Sequence, residues 1–255
     1  MATALITGPT TGIGRAFADK LALEGYDLVL VSRDETRLKE VATELTRLHG
    51  VACEVLAADL TDADDLARVE ARFQAGPIEV LVNNAGFGQK KPFWANPIDV
   101  EENQFDLLVR VVLRLTHAAV LPMIERGSGA VINVSSVAGF LQRGSYSAHK
   151  SWVTNFTAGL AIELHSRGVA VMALCPGFVR TEFHERMGMD KTIIPSFMWL
   201  DATELVDAAW KDLMQGKAIS IPSLRYKLIV AATRYIPRAL IARVSTVGLD
   251  GRRRV

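Results

Sequence analysis

Short runs of aliphatic and β-branched residues recur along the chain, separated by longer stretches in which apolar positions follow a helical period. Residues 4–7, 28–31, 54–56, 80–82, 130–134 and 169–174 predict strands. They are too apolar to leave one face wet, so they read as parallel strands buried on both sides. Between them, 13–23, 34–48, 62–73, 100–123 and 146–167 predict helices. Thr61 followed by Asp64 resembles a capping box at the start of the third helix. Strands alternating with helices imply a doubly wound, three-layer α/β/α architecture of Rossmann type, with right-handed crossovers. No linker rich in Pro, Gly or Ser interrupts the pattern, so residues 1–255 read as one domain.

With 49% hydrophobic and 22% charged residues over 255 positions, the chain has ample apolar content for a packed core. It contains no uninterrupted apolar run of membrane-spanning length. The apolar N-terminal stretch has no basic residue before Arg15, so a secretory signal is not expected. Two cysteines, Cys53 and Cys175, are too few for a disulfide framework or a zinc site, so a reducing, cytoplasmic setting and no metal are expected. The net charge of +1 conceals an asymmetry: residues 220–255 hold eight basic side chains against Asp250, a local charge of +7, leaving −6 on the rest. That negative body argues against nucleic acid as a partner.

The first predicted strand runs into Thr7-Gly8-Pro9-Thr10-Thr11-Gly12-Ile13-Gly14 and then a helix. Glycines there permit a tight turn and a close backbone approach to a pyrophosphate, which the helix N-terminus attracts. The spacing G-x-x-x-G-x-G differs from the common G-x-G-x-x-G fingerprint. The second strand ends in Ser32-Arg33, where an NAD enzyme would place a ribose-binding carboxylate. A carboxylate would repel a 2′-phosphate, whereas Arg33 can pair with one, and Arg15 adds a second cation nearby. Asp34 follows at once and opposes them. The reading favours NADP(H).

The strand at 130–134 ends in Ser135-Ser136, and Tyr146-Ser147-Ala148-His149-Lys150 follows. Tyr and Lys four apart share one helical face, so hydroxyl and ammonium can converge. A free tyrosine, with a pKa of about 10, is a poor base at neutral pH, and a cation nearby is expected to stabilise its anion and lower that value. Ser136 can hydrogen-bond a carbonyl oxygen as negative charge develops on it. His117 and His149 have no acidic partner at triad spacing and read as packing residues.

Taken together, Thr7-Gly8-x-x-x-Gly12-x-Gly14, Asn83-Asn84-Ala85-Gly86, Ser136, Tyr146-x-x-x-Lys150 and Pro176-Gly177-x-x-x-Thr181 resemble the single-domain branch of the short-chain dehydrogenase/reductase family over residues 3–185. The stretches 131–139 and 170–181 look similar to actinobacterial ketoacyl-reductase-like members. The resemblance implies Tyr146 as general acid/base, Lys150 as its modulator and ribose ligand, and Ser136 as the group that orients substrate. It further implies a cofactor site along Gly8, Thr10, Gly12, Ile13, Gly14, Arg15, Ser32 and Arg33. Asp59 and Leu60 would flank the adenine, Asn83, Asn84, Ala85 and Gly86 would line the cofactor, and Pro176, Gly177, Val179 and Thr181 would close over it. Homodimers or homotetramers built on the two long helices are implied as well.

Two departures stand out. Members of that family usually carry an Asn on the long helix, holding a water that passes protons to the Lys. Here Leu108 or Val109 occupies that place, depending on the alignment, which implies an impaired or rerouted relay. The ten-residue step from Ser136 to Tyr146 is also shorter than usual, so Ser135 remains an alternative to Ser136. Residues 183–200 are rich in Met and aromatic side chains and read as a substrate lid suited to a bulky apolar ketone of fatty-acyl or steroid-like type. Ordinary packing against the sheet edge explains them equally well. Residues 223–255 form a basic extension that could contact a membrane peripherally, although docking on the domain is the commoner outcome and Pro237 breaks its helix. The expected function is an NADP-dependent oxidoreductase acting between ketone and secondary alcohol. The rival is a catalytically weakened cofactor-binding protein acting as sensor or scaffold.

Overall fold

The computed structural model describes residues 2–89, 91–182 and 194–233. Its core is a parallel sheet in the order β3-β2-β1-β4-β5-β6-β7. The strands are β1 (Thr3–Thr7), β2 (Asp27–Ser32), β3 (Cys53–Ala57), β4 (Val80–Asn83), β5 (Gly129–Val134), β6 (Val169–Leu174) and β7 (Ile219–Ser220). Every predicted strand is present to within one residue at each end. The central strands are buried on both faces, as their unbroken apolar runs require. β3 differs: it lies at an edge, its residues are partly exposed, and Glu54 points to solvent. The two-residue β7 was not foreseen; a pair of residues carries no periodicity.

Helices α1 (Gly12–Leu23), α2 (Glu35–His49), α3 (Ala63–Arg72), α4 (Ile98–Phe105), α5 (Val111–Arg126), α6 (Gly144–Leu164), α7 (Ala202–Met214) and α8 (Leu224–Thr233) cover the two faces. One face packs Phe17, Leu21, Leu38, Leu45, Leu205 and Leu213 against the sheet. The other packs Leu66, Phe73, Leu115, Val120, Met123 and Leu164. At about 25 cal/mol per Å² of apolar surface removed from water, these two layers are the principal stabilising term. The start of α3 corrects the capping expectation: Asp62, not Thr61, caps it by accepting from the amides of Asp64 and Asp65. The Thr61 hydroxyl instead donates to Asp59 at 2.7 Å. The long helix predicted at 100–123 runs continuously over Ile98–Arg126, its α4 and α5 portions joined by a π-helical turn at Asp106–Arg110. The stretch Ile98–Arg126 is long and apolar enough to cross a membrane, but half of its most apolar window is buried in the protein.

In a parallel sheet of this order the chain reverses direction of winding between β1 and β4. Loops after the carboxyl ends of those strands leave a crevice at the switch point. The residues singled out from sequence for chemistry follow those carboxyl ends.

Candidate active site

Thr7 ends β1, and its hydroxyl accepts from the amides of Asn84 (2.9 Å) and Ala85 (3.0 Å) after β4. The Asn84 side-chain amide donates to Thr7 O and Gly8 O, each at 3.0 Å. The loops after β1 and β4, with Thr7 and Asn84 77 residues apart in sequence, are thereby fixed together across the switch point. Gly8 and Gly12 adopt φ of 67° and 59°, a region that side chains disfavour. A Cβ on Gly14 would lie inside the contact radius of Gly8 O and of the Asn84 amide. Thr11 precedes α1 in extended conformation and makes no side-chain cap. The first N–H groups of α1 thus open on a hollow floored by backbone, the arrangement that accepts a pyrophosphate. Thr10 and Ile13 lie partly exposed on this turn, and Thr181 closes it from the far side, its Cγ2 lying 2.8 Å from where a Gly12 Cβ would stand.

At the end of β2, Ser32 accepts through its carbonyl from the Ala58 amide at 3.0 Å, while Arg33 is 78% exposed and stands 3.7 Å from Asp59. Burial raises the Asp59 carboxyl, but hydrogen bonds from Thr61 and the nearby Arg33 outweigh it and leave the group below its ordinary value. Leu60 is buried in the core. Arg15 does not turn toward this cradle: its guanidinium pairs with Asp19 at 3.0 Å and Glu44 at 2.9 Å. The reason is helical geometry, since Asp19 lies one turn along the same face. Arg33 is therefore the cation left at the ribose end of β2.

β5 delivers Ser135 and Ser136 on opposite sides, as successive residues of extended chain must be. Ser135 is buried; its hydroxyl donates to Lys150 O at 2.7 Å and lies 2.7 Å from the Thr154 hydroxyl. It ties α6 to the sheet. Ser136 accepts from the Ala138 amide at 3.1 Å and hydrogen-bonds the Tyr146 side chain. The structure thus brings Ser136, not Ser135, to the tyrosine. One turn further along α6, the Lys150 ammonium sits 5.9 Å from the Tyr146 ring centroid and donates to Val134 O at 2.7 Å. The lowering expected from Lys150 is overturned: burial pushes the Tyr146 hydroxyl up to about 12, partly offset by Ser136, and pushes Lys150 down to about 8. Burial also raises the neighbouring Cys175 thiol to about 11, so that group is protonated and inert.

Close approach of backbone makes this convergence possible. A Cβ on Gly139 would stand 2.8 Å from the backbone of Lys150, so the turn after Ser136 can lie flat against α6. Beneath it runs a buried polar chain that the sequence reading did not single out as a unit. The Asn83 amide donates to Thr116 (3.1 Å) and Asn133 (2.9 Å), and Asn133 donates to Thr157 (3.0 Å). The signal was available: Asn133 is a polar residue within a strand otherwise apolar on both faces. Since buried amides need partners, this chain fixes β4, β5, α5 and α6 in one relative position.

Leu108 and Val109 lie buried in the π-helical turn. Leu108 Cδ2 stands 2.8 Å from where a Cβ on Gly86 would be, so Gly86 keeps the floor of the crevice narrow enough for an apolar side chain to seal it. Ala85 packs partly buried beside it. His149 meets Phe105 edge-on at 5.6 Å, and burial lowers its pKa, with Glu101 opposing and Lys150 reinforcing that shift. The loop after β6 carries Pro176, which accepts from the Val137 amide at 3.0 Å, then Gly177, and Val179, which bridges to Leu200. Of the expected lid, 183–193 lie outside the described residues; 194–200 form a short turn joined to this loop. Of the basic extension, 234–255 lie outside them too. No group of acidic, His and Cys side chains suited to a metal occurs among the described residues.

Residues 2–192 match the family model of the short chain dehydrogenases. A very-long-chain 3-oxoacyl-CoA reductase of Anas platyrhynchos is 34% identical over 77% of this chain. The chain spans only 60–64% of the length of the first such relatives. Among solved structures, a short-chain dehydrogenase from Sphingobium yanoikuyae in complex with NADPH superposes with a TM-score of 0.85 at 36% identity, covering 99% of this chain and 97% of that one. The bulky-bulky ketone specific alcohol dehydrogenase from Comamonas testosteroni gives 0.80 at 32% identity, covering 94% and 96%. The chain belongs to the short-chain dehydrogenase/reductase family of oxidoreductases. Members of that family bind NAD(P)(H) and act on small molecules.

Proposed function

We propose that this protein is an NADPH-dependent reductase of bulky, apolar ketones. The observation that carries the reading is the convergence of Ser136, Tyr146 and Lys150 beside a glycine-lined hollow at the switch point. When bound there, NADPH supplies the hydride. The Gly8–Gly14 turn and the start of α1 hold its pyrophosphate, and Arg33 meets the 2′-phosphate. An exposed pair such as Arg33–Asp59 contributes little on its own, so Arg33 is free to exchange that partner for a phosphate.

Ser136 donates to the ketone oxygen and aligns it with the Tyr146 hydroxyl. With its pKa up at about 12, Tyr146 is fully protonated near neutrality and gives its proton to the nascent alkoxide. Lys150, charged below about 8, stabilises the tyrosinate left behind. In the oxidative direction the same groups run in reverse. The bulky apolar substrate class is supported by the Phe178 and Trp199 rings, 5.7 Å apart on the segments joined after β6, and by the bulky-bulky ketone specificity of the Comamonas relative. A homo-oligomer built on α5 and α6 is part of the proposal, supported by the exposed Leu113, Leu121 and Ile162.

The test is NADPH oxidation against ketones graded from small and polar to long or polycyclic. Rising kcat/KM with apolar size is expected; equal efficiency across the series sinks the substrate assignment. In the same assay Tyr146→Phe should lose about 10²–10⁴-fold in kcat while NADPH still binds. Retained turnover would remove Tyr146 as the acid, and the absence of turnover in wild type and variant alike, with NADPH still bound, would favour a binding protein over an enzyme.

A further inference from the structure

We propose that Tyr226, on the C-terminal helix α8, is a positioning residue for substrate, holding the loop after β6 against the 194–200 segment. The inference rests on the proposed ketone-reductase function and extends it to a part of the chain that none of the catalytic motifs reaches. Four contacts made by the first turn of α8 converge on this spot. The Phe178 amide donates to the Tyr226 hydroxyl at 3.0 Å, and that hydroxyl donates onward to Met198 O at 2.8 Å. The Tyr226 ring lies against Gly177, so closely that a Cβ there would collide with its Cζ and Cε2 atoms. The neighbouring Arg225 guanidinium sits 6.0 Å from the centroid of Phe197.

Tyr226 is only 2% exposed, although it begins a helix whose Leu224 and Leu228 face solvent. A buried phenol with its hydroxyl both accepting and donating is a two-ended strut, and its geometry fixes the separation of the two segments it joins. Phe178 and Leu200 are already tied by backbone: Leu200 donates to Phe178 O at 2.8 Å and Arg180 donates to Leu200 O at 3.0 Å. The strut therefore completes a small closed frame of Gly177–Arg180, Met198–Leu200 and α8. That frame carries Phe178 and Trp199, whose rings lie 5.7 Å apart. It also leads through Val179 to Thr181 over the phosphate turn. Tyr226 touches none of the reacting groups Ser136, Tyr146 or Lys150. Its action is on the width and rigidity of the apolar wall that a large ketone meets.

Tyr226→Phe in the full chain tests this, because it keeps the ring over Gly177 and removes only the hydroxyl. Amide hydrogen exchange at Phe178 should accelerate by about tenfold or more, as a lost hydrogen bond implies. In NADPH-saturated assays, KM for a bulky aryl or long-chain ketone should rise about tenfold. KM for a small ketone should change less than about twofold, and kcat for both should stay within about threefold. Unchanged exchange at Phe178 overturns the strut. Accelerated exchange with unchanged KM for the bulky ketone, or an equal loss for small and bulky ketones, overturns the positioning role. If wild type and variant alike turn over no ketone, the proposed function fails, while exchange at Phe178 still reports whether the hydroxyl holds the loop.

Discussion

The two halves of the crevice are built on different principles. On the β1–β3 side the site is made of backbone: glycines, a helix N-terminus and the hydroxyl of Thr7, with the Arg33–Asp59 pair at its rim. On the β4–β6 side it is made of buried side chains whose acidity is shifted by desolvation, Tyr146 upward and Lys150 downward. The first half has little tolerance for added volume, and the second has little tolerance for altered charge. A cradle for a ligand with fixed phosphates calls for shape, whereas moving a proton calls for tuned ionisation.

The largest expected effect comes from adding volume to the backbone half. Gly14→Ala places a methyl group against Gly8 O and should abolish measurable NADPH binding by fluorescence titration. A Kd within about threefold of wild type would show that the turn can yield, and the contrast between the halves would weaken.

Removing charge from the other half should leave binding closer to intact and strike the chemistry. Lys150→Met is expected to lower kcat by about 10²–10³-fold. The same change should raise stability, because a lysine whose pKa is depressed on folding is costly to keep charged. The sign follows from proton uptake: between about 8 and the unfolded value of 10.5 the unfolded chain holds more protons, so wild-type stability rises with pH across that window. At neutral pH the variant should therefore melt higher, by the equivalent of about 1–2 kcal/mol after loss of the bond to Val134 O. A lower Tm at pH 7 would mean that the ammonium is better solvated than its burial indicates. In wild type, kcat for reduction should fall as pH rises through about 8, and a profile flat to pH 10 would contradict the role given to Lys150.

A milder change tests the exposed cation on the backbone half. Arg33→Ala should reduce the preference for NADPH over NADH by about 10–100-fold, the worth of a charge-assisted contact to phosphate. An unchanged ratio of kcat/KM for the two cofactors would move the selectivity elsewhere. The smallest effect is expected where the halves meet. Leu108→Asn inserts an amide into an apolar seal beside Gly86, so it should lower Tm, and a change of a few-fold in kcat or a displaced pH profile would show that a water relay had been opened. Unaltered rate and profile at 108, and likewise for Val109→Asn, would remove the proton relay as a meaningful difference between this chain and its relatives.

Much of this arrangement was legible in the sequence because it is written in short range. A strand that is apolar on both faces announces itself, as at Val29 and Val131, and so does a turn that demands glycine, as at Gly8 and Gly12. Tyr146 and Lys150 lie one helical turn apart and carry their geometry with them. What escaped is set by long-range contact. Arg15 is one residue from the glycine turn, yet helical periodicity turns it toward Asp19 and Glu44. Ser135 and Ser136 are neighbours with opposite fates, because extended chain sends them to opposite sides. Nothing local to Tyr226 indicates that it closes on Gly177, 49 positions earlier, and the π-helical turn within the long helix at Asp106–Arg110 leaves the apolar period nearly unchanged.

The seam between Thr7 and Asn84 also dictates an order of events during synthesis. β1 is among the first strands to leave the ribosome, but its partner β4 begins only at Val80, after β2, β3 and three helices have been made. Until then β1 has a neighbour on one side only, and its other hydrogen-bonding edge stays open beside an apolar face. Parallel pairing at this separation is slow, because a long loop must close before any contact rewards it. The nascent chain therefore passes through a stage at which the edge leading into the half-built phosphate turn is open, until pairing with β4 covers it and the Asn84 amide ties the two loops beyond that ladder.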